Sequence, residues 1–449
     1  MIVQSTVKQV IEDSIKKLNA INMDYEFAGR DALIDYYTYS NTEKYIVDYF
    51  KGSLQKEIPL YTQNMTQRLI KRISMVYKNS PVRKVDNDDY QSIIGTKDYS
   101  LKLCERIHNL VGTMAVKVCP DADDNMMYQP IINFEPIFAE GDPLNPVAIT
   151  YLIEKVRGNS YQVGSEDKFV YWSADEHFIF DTDGKIYPPT EDNPDMVNPY
   201  GVLPFVFLQP ATQVDEFWNE GASDIANANR QIDIAMTMLQ HHIRSAGGQF
   251  VISGRVDDSQ VEFGLNKAIV LEDGDMQNLN PNLDIGGIIE GIKFQLMHVF
   301  QNHHVTFEYG ITGSKSGIAL KIENLELLES REDEVEKWRV AERAIYKVEK
   351  AIAETLNINL PDEFAVDFAE VEFPLSVVEE QQRWDWLWSN GIKDKIDYLM
   401  ENDPDGFRTR EDAEEYLAVR QASANTVKNL SDTEDNAFKL NNIGENNDA

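Results

Sequence analysis

The segment Gly313-Ser-Lys-Ser316 contains a lysine directly before a serine, as at the end of a nucleotide-binding phosphate loop. That loop also requires a glycine immediately before the lysine and a second glycine five residues earlier. Ser314 and Tyr309 occupy these two positions, and the sequence predicts no parallel strand before them. Because the backbone amides then cannot form a phosphate cradle, the segment is predicted to be a polar loop.

The histidines and acidic turns do not have the spacing of a metal site. The pairs His241-His242 and His303-His304 are adjacent in sequence, and adjacent residues on a helix point about 100° apart rather than toward one ion. The acidic turns at Asp121 and Asp181 lack the sixth-position glycine and the distal glutamate of a calcium loop. We therefore predict ordinary hairpin turns, no metal and no cofactor.

Catalytic nucleophiles and carboxylates are not indicated either. The nucleophile motif G-x-S-x-G is absent from the sequence. Acid pairs are abundant among 76 Asp and Glu residues, so counting them neither supports nor excludes a catalytic pair, and we interpret most as solvated helix faces. Cys104 and Cys119 are interpreted as buried thiols rather than as a redox pair. The sequence predicts a protein that is not an enzyme.

Charge and length restrict the class of protein further. The 449 residues are enough for two to four domains, and the 34 excess negative charges argue against a general basic nucleic-acid binder. The longest apolar runs fall far short of the ~20 residues that a bilayer span needs, and the first residues lack the apolar block of a secretory signal. We expect a protein of a reducing cytoplasm without a membrane partner.

Apolar periodicity predicts the order of the elements, and the class is α+β, mostly helical. The longest predicted helix extends from Ile318 to Leu356, which is about 58 Å at 1.5 Å per residue. The other predicted segments are helices within residues 1–80, a helix from Asp98 to Val111, antiparallel strands from Met114 to Phe180, a strand from Phe205 to Leu208, a helix from Phe217 to Ile243, strands from Gln249 to Ser253 and from Lys267 to Leu271, a helix capped by Asp284, and helices after Pro374 with a mobile tail from Ala422.

This order of elements resembles that of bacteriophage portal proteins, the head-to-tail connector rings of tailed double-stranded DNA phages. Local sequence carries the resemblance in segments that look like an early wing helix, the proline-flanked strand that closes the wing, the start of a stem helix, the passage from tunnel loop into long helix, and the entry to the crown. In that order they are Met65 to Val82, Pro199 to Val206, Glu220 to Asp233, Ser316 to Asp333, and Leu375 to Tyr416, which departs from the family at Lys393.

The resemblance implies a portal-like architecture with an α/β wing, a helical stem, a small β-containing clip, a long wing helix and a helical crown. The implied boundaries are 1–215 for the wing, 216–247 for the first stem helix, 248–284 for the clip, 285–304 for the second stem helix, 305–317 for the tunnel loop, 318–374 for the long wing helix and a strand, and 375–449 for the crown and an acidic tail.

The implied function is mechanical. Twelve copies would form a ring at one capsid vertex, through which a terminase motor packages DNA that is later ejected. The implied partners are the other copies, double-stranded DNA bound without sequence specificity, the terminase large subunit, the major capsid protein, a head-tail adaptor and, as an open question, a scaffolding protein. The implied location is the virion, with the host cytoplasm during assembly.

The resemblance also assigns two sets of residues. Those facing DNA in the tunnel loop are His303, His304, Tyr309, Thr312, Ser314, Lys315 and Ser316. Those forming the docking surface of the clip are Arg255, Asp257, Asp258, Glu262 and Lys267. An acidic ring wall repels phosphates and so reduces the sticking of DNA. Lys315 either touches phosphate transiently or is a mobile lysine in solvent.

Two alternatives from other classes stay open at this point. One is an acidic helical adaptor or scaffold that binds a partner as a monomer or dimer. The other is a carboxylate-dependent cytosolic enzyme with a helical lid. A mass measurement separates a large ring from the first alternative, and hydrolase or transferase activity would reveal the second.

Shortening the glycine-bearing loop between Gly310 and Gly317 tests its role in the channel. We expect such a variant to assemble particles and to package less DNA, because the polar loop is predicted to face the DNA. The measurement is the DNA content of purified particles. Normal packaging by the shortened variant would contradict a channel role.

Overall fold

The protein is mostly helical and contains several small antiparallel sheets, which confirms the α+β class. The computed structural model describes residues 29–50, 59–87, 89–154, 168–181, 183–210, 216–219, 221–245, 249–254, 274–279, 284–306, 322–371, 377–403 and 406–420. The chain forms two units, Met1–Gly310 with Glu323–Val371, and Ile311–Ile322 with Glu372–Ala449. In the described part, every helix is too short or too polar to cross a membrane.

The first unit begins with the helices predicted within the first 111 residues. They are α1 (Arg30–Thr38), α2 (Met65–Ile73), α3 (Tyr90–Ile94) and α4 (Lys97–Val111), with 3-10 turns at Thr42–Tyr45, Val47–Tyr49 and Val76–Lys78. Asn64 caps α2 by accepting a hydrogen bond from the Gln67 N–H at 3.2 Å. The helix ends at Ile73, earlier than predicted, where the Ser74 hydroxyl bonds the Ile70 carbonyl at 2.8 Å. Residues 1–28 and 51–58 lie outside the described part.

Two antiparallel sheets follow, as the alternating pattern predicts. The strands are β1 (Val82–Lys84), β2 (Met114–Pro120), β3 (Met126–Ile131), β4 (Phe134–Phe138), β5 (Pro146–Glu154), β6 (Lys168–Ser173), β7 (His177–Asp181), β8 (Ile186–Tyr187) and β9 (Phe205–Leu208). One sheet has the order β3-β2-β9 and the other β4-β5-β6-β7-β8. An aromatic core that includes Phe134, Trp172 and Phe217 lies against both sheets. The Asp121 carboxylate accepts the Asp123 and Asn125 N–H groups, which confirms a hairpin turn there.

The helix predicted from Phe217 begins six residues later, as α5 (Ser223–Ser245). Phe217 is buried in the aromatic core, and Gly221 has a φ of +59°. A side chain at Gly221 would collide with the Leu110 carbonyl oxygen, which accepts the Ala222 N–H at 2.8 Å. The chain therefore crosses the end of α4 before the helix starts, and only glycine permits that approach.

A two-stranded hairpin and a second helix come next. Strand β10 (Gln249–Gly254) pairs antiparallel with β11 (Gly274–Leu279), and α6 (Ile285–Asn302) follows. The second strand was predicted at residues 267–271, which lie outside the described part. Asp284 caps α6 as predicted, since its carboxylate accepts the Gly287 N–H at 2.8 Å.

The long helix is α7 (Leu325–Thr355), about 46 Å at 1.5 Å per residue, and it is followed by β12 (Ala365–Asp367), which pairs with β1. An apolar stripe, most of whose members are three or four residues apart, extends from Ile322 to Ile352, and its first members, Ile322 and Leu325, are 69% and 49% exposed. The stripe is buried from Val335 to Ile352. Leu327 is also buried, so the start of α7 is only partly covered, and residues 318–321 lie outside the described part.

The second unit contains α8 (Val377–Ser389), α9 (Lys395–Asn402) and a helical segment at 410–420. Asp394 and Asp397 form a reciprocal capping box at the start of α9. Residues 421–449, where a mobile tail was predicted, lie outside the described part.

A buried group of four charged side chains joins α7 to the rest of the first unit. Glu342 and Glu349 are fully buried and so are exceptions to the prediction that most acids lie on solvated helix faces. Lys97 Nζ lies 2.6 Å from Glu349 Oε1 and 3.2 Å from Glu342 Oε2. Arg83 Nη2 lies 2.5 Å from Glu342 Oε1, and its Nη1 lies 2.5 Å from Asp98 Oδ1. The two buried carboxylates are thus balanced by two buried cations.

Tyrosine hydroxyls complete the hydrogen bonding of these carboxylates. Tyr77 donates to Glu342 at 2.9 Å, Tyr90 donates to Glu349 at 3.0 Å, and Tyr128 also donates to Glu349. Burial by itself would raise the pKa of Glu342, but Lys97, Arg83 and the Tyr77 hydrogen bond outweigh it and hold that pKa below its ordinary value. The carboxylate is therefore ionised inside the core.

A ladder of polar side chains fixes α5 to the extended segment before α2. Asn229, Asp233 and Thr237 are buried and four residues apart on one face of α5. Asn229 Oδ1 accepts the Met65 N–H at 3.1 Å, and Asp233 Oδ1 accepts the Gln63 N–H at 3.1 Å. Higher on the helix, Thr237 Oγ1 accepts the Tyr61 N–H at 2.9 Å. Alternate amides of an extended segment are thus bonded to successive turns of one helix.

Replacing Lys97 with methionine tests the buried charge group. The change leaves Glu349 buried without a cation, so we expect Lys97→Met to lower the free energy of unfolding by about 3–5 kcal/mol in urea denaturation. Lys102→Met is the matched control, because Lys102 lies on the same helix and is only partly buried. A loss below about 1 kcal/mol for Lys97→Met would contradict the proposed balance of charges.

Replacing Asp233 with asparagine tests the ladder through pH. Burial raises the pKa of Asp233 to about 8, although the Gln63 N–H and the Asn229 amide act in the opposite direction. Between pH 4 and 8 the folded protein therefore keeps a proton that the unfolded chain has lost, so this group's stabilisation is present below about pH 4 and decreases up to about pH 8.

The measurement is the difference in free energy of unfolding between wild type and Asp233→Asn, since groups shared by both proteins cancel. We expect that difference to decrease by a few kcal/mol from about pH 4 to about pH 8, because one pKa unit corresponds to about 1.4 kcal/mol. Burial raises the pKa of Glu105 to about 7. Because Glu105 is present in both proteins, its titration cancels in the difference. A difference that does not change with pH would refute the assignment.

Candidate functional site

Helices α5 and α6 pack against each other and are connected by the β10–β11 hairpin. The hairpin pairs Gln249 with Leu279, so the strand ends nearest the two helices lie side by side. At the opposite end, His303 Nε2 lies 2.8 Å from Asp224 Oδ2, which connects the end of α6 to the first turn of α5. The helices are therefore antiparallel and are tied together at both ends.

Apolar stripes hold this helix pair together, as their spacing predicts. Ile225, Ile232 and Leu239 are buried on α5, and Ile292 and Phe300 are buried on α6. The polar ladder residues lie between the apolar ones on α5, so that helix packs on α6 and on the segment before α2 at the same time. The pair is therefore attached to the rest of the first unit by hydrogen bonds.

The same helices also expose large apolar side chains. Met238 and Ile243 on α5 are 47% and 50% exposed, and Phe294 on α6 is 56% exposed. Ile289 and Met297 on α6 are exposed as well. Phe294 is two residues from the buried Ile292, so it points to the opposite side of the helix. We call these five exposed side chains the exposed apolar face. Several large exposed apolar side chains on neighbouring helices are typical of a protein-contact surface.

The two histidines of the predicted tunnel loop contact different helices. His303 bonds Asp224 on α5, whereas His304 Nδ1 lies 3.7 Å from Glu326 Oε2 on α7. Burial would raise the pKa of Asp224, but the hydrogen bond and charge of His303 outweigh it, so the pKa of Asp224 lies below its ordinary value. His303 thus has a structural contact, and a role of either histidine toward DNA stays a prediction.

The remaining predicted site residues lie outside the described part of the chain. In the tunnel loop they are Tyr309, Thr312, Ser314, Lys315 and Ser316. In the clip they are Arg255, Asp257, Asp258, Glu262 and Lys267. The structure brings none of these residues into a describable site, so their assignment to DNA contact and docking stays a prediction.

A groove in the second unit contains basic and aromatic side chains together. It is lined by Trp388, Lys393, Lys395 and Arg410. Lys393 forms an ion pair with Glu401 and lies 5.4 Å from the Trp384 ring centroid, and Arg410 pairs with two aspartates of the α9 cap. Lys393 therefore has a local structural role, because its ammonium binds within this unit.

Sequence reasoning missed the polar residues that position these helices. Glu342 and Glu349 lie seven residues apart among the buried apolar residues of α7, and Asn229 and Asp233 lie four apart among those of α5. The signal that would have found them is a polar residue at a stripe position, since such a residue is buried with its neighbours and requires a hydrogen-bonding partner.

Comparison with known proteins gives one kind of match. No protein-family model matches the chain, and no curated protein matches it. Among solved structures, the chain is similar to a chain of the structure described as "Virion of native gene transfer agent (GTA) particle". The identity is 11% and the TM-score is 0.40, over 78% of this chain and 91% of that chain.

Proposed function

We propose that this chain is a portal protein, a ring-forming component of a virion that conducts double-stranded DNA and hydrolyses nothing itself. The observation that carries the proposal is the unit made by α5, the β10–β11 hairpin and α6, with an exposed apolar face on both helices. The sequence resemblance to portal proteins assigns these same segments to the stem and clip. In that assignment, the two helices cross the wall of the ring.

The apolar face supports the proposal because ring walls are built from contacts between copies. The side chain of Phe294 is 56% exposed in the single chain. Its apolar surface is removed from water only when a partner covers it. Burying exposed apolar area contributes roughly 25 cal/mol per Å². Five large apolar side chains on two neighbouring helices are thus a suitable contact surface for an adjacent copy.

The charge of the chain supports a channel that does not hold its DNA. The chain has 34 excess negative charges, and a wall of that sign repels the phosphate backbone. A basic wall repeated around a ring would bind DNA by releasing counterions and would stop it from sliding. In this proposal the terminase large subunit and a head-tail adaptor dock on the clip, and the major capsid protein surrounds the wing.

The native mass of the purified protein tests the proposal. A ring of about twelve copies has a mass of about 600 kDa, against 51.4 kDa for one chain. Mass photometry gives the mass, and negative-stain images of the same sample give the central hole. A monomer or a discrete dimer, with or without capsid protein added, would contradict the proposal and favour the adaptor or enzyme.

Glutamates on the apolar face test whether that face builds the ring. We expect Phe294→Glu with Met297→Glu to shift the mass from that of a ring to that of a monomer, because an ionised carboxylate is costly to bury at a contact. Val147→Glu with Val197→Glu is the matched control, since both valines are about half exposed and lie away from the helix pair, Val147 on β5 and Val197 in an isolated bridge with Glu176. Rings formed equally by both double variants would assign the ring contact to another surface.

A further inference from the structure

In one stretch of this acidic chain, every charged residue is a cation. From Met65 to Val85 there are six Lys and Arg residues and no Asp or Glu. Arg83 is buried with Glu342, and Lys84 is exposed on β1. Arg68, Lys71, Arg72 and Lys78 are exposed on α2 or in the 3-10 turn that follows it. We call these four exposed residues the basic surface.

Two cations of the basic surface donate to neutral side chains. Lys71 Nζ donates to the Gln67 side chain at 3.0 Å, and Arg72 Nη2 donates to the Asn324 side chain at 2.6 Å. Arg68 has no hydrogen bond or ion pair with a described residue. Burial, followed by the charges of Arg72 and Arg331, lowers the pKa of Lys78, which places like charges close together. Such a surface favours an anionic partner.

A complementary surface lies on the outer side of α7. Glu326, Glu329, Asp333 and Glu336 are exposed and spaced by three or four residues, so they form one row, which we call the acidic stripe. Glu329 and Asp333 form no ion pair with a described residue. Like charges at this spacing destabilise a helix. The helix dipole favours acids only in the first turn, so it does not account for Asp333 and Glu336.

The acidic stripe lies on the side of α7 that faces away from the basic surface. Arg331 Nε donates to the Met75 carbonyl at 3.0 Å, so the side of α7 that holds Arg331 faces the segment between α2 and Lys78. Glu329 and Asp333 are each two residues from Arg331 and thus point about 200° away from it around the helix. The basic surface of one copy is therefore not covered by the acidic stripe of the same copy.

We propose that the basic surface of one copy binds the acidic stripe of a second copy of this chain. The inference rests on the proposed ring and identifies one contact within it. A contact between two different surfaces is heterologous, and heterologous contacts are the kind that close into rings. A second copy supplies an acidic stripe at the same concentration as the basic surface, whereas DNA would be repelled by the 34 excess negative charges of the chain.

Charge reversal followed by charge exchange tests the contact. At 0.15 M salt we expect Arg68→Glu with Lys71→Glu to reduce the mass from about 600 kDa to 51.4 kDa, and Glu329→Lys with Asp333→Lys to do the same. The variant with all four substitutions should recover the ring, because the complementary charges are restored in exchanged positions. Lys185→Glu with Arg408→Glu is the control, since it makes the same change in net charge at two other exposed cations.

Several outcomes would overturn the inference. Rings formed by Arg68→Glu with Lys71→Glu as readily as by wild type would do so, and so would failure of the four-substitution variant to assemble while circular dichroism shows it folded. Intact rings that lose binding to a 30-base-pair DNA duplex would assign the basic surface to nucleic acid instead. A wild type that forms no ring contradicts the proposed function itself, so the two failures are distinguishable.

A cross-linking measurement on unchanged protein avoids any dependence on variant folding. A water-soluble carbodiimide activates a carboxylate, which the Lys71 amine then attacks to form an amide while the carbodiimide leaves as a urea. In an equal mixture of ¹⁴N and ¹⁵N protein, we expect mixed-isotope peptides that join Lys71 to Glu329 or Asp333. Rings whose mixed-isotope cross-links never include Lys71 with either acid would contradict the contact.

Discussion

The first unit depends on two carboxylates that are buried in its core beside cations. Glu342 and Glu349 on α7 are fully buried, and such charges are tolerated only when cations and hydrogen bonds balance them. Lys97 lies within ion-pair distance of both, so one ammonium at the start of α4 binds carboxylates two turns apart on the long helix. The tyrosine donors come from a 3-10 turn, from α3 and from β3. One charge group therefore sets where α7 lies against helices and sheet together, which an apolar contact alone would specify less uniquely.

The attachment of α5 follows from a match between two periodicities. Four residues of an α-helix rise about 6.0 Å, and two residues of an extended chain span about 6.6 Å. Asn229, Asp233 and Thr237 can therefore meet the amides of residues 65, 63 and 61 in order. Because these amides are buried or partly buried, each needs an acceptor, and the helix supplies one at every turn. The helix pair that bears the exposed apolar face is thus fixed to the first unit by hydrogen bonds as well as by its apolar stripe.

Local pattern predicted the helices and strands well where one face is apolar and the other polar. The spacing that gave α4 and β2, and the Asp284 cap of α6, is a property of neighbouring residues and needs no tertiary information. The start of α5 was wrong because it depends on Gly221 passing the end of α4, a contact between residues more than a hundred positions apart. The buried state of Glu342 was missed for the same reason, since its cations are distant in sequence. The exposed apolar face on α5 and α6 could not be separated by periodicity from the buried stripe beside it.

Charges are arranged in opposite ways inside and outside this chain. In the core each carboxylate of α7 has a cation within 3.2 Å, because an unpaired charge there would cost several kcal/mol. On the surface, Arg68 and Lys71 lie together on α2, and Glu329 and Asp333 lie together on α7. In a monomer, water keeps the free-energy cost of separating these opposite charges small, since exposed ion pairs contribute little to stability. A second copy would remove the water and bring the opposite signs together, so the same physics that pairs charges in the core would favour contact between copies.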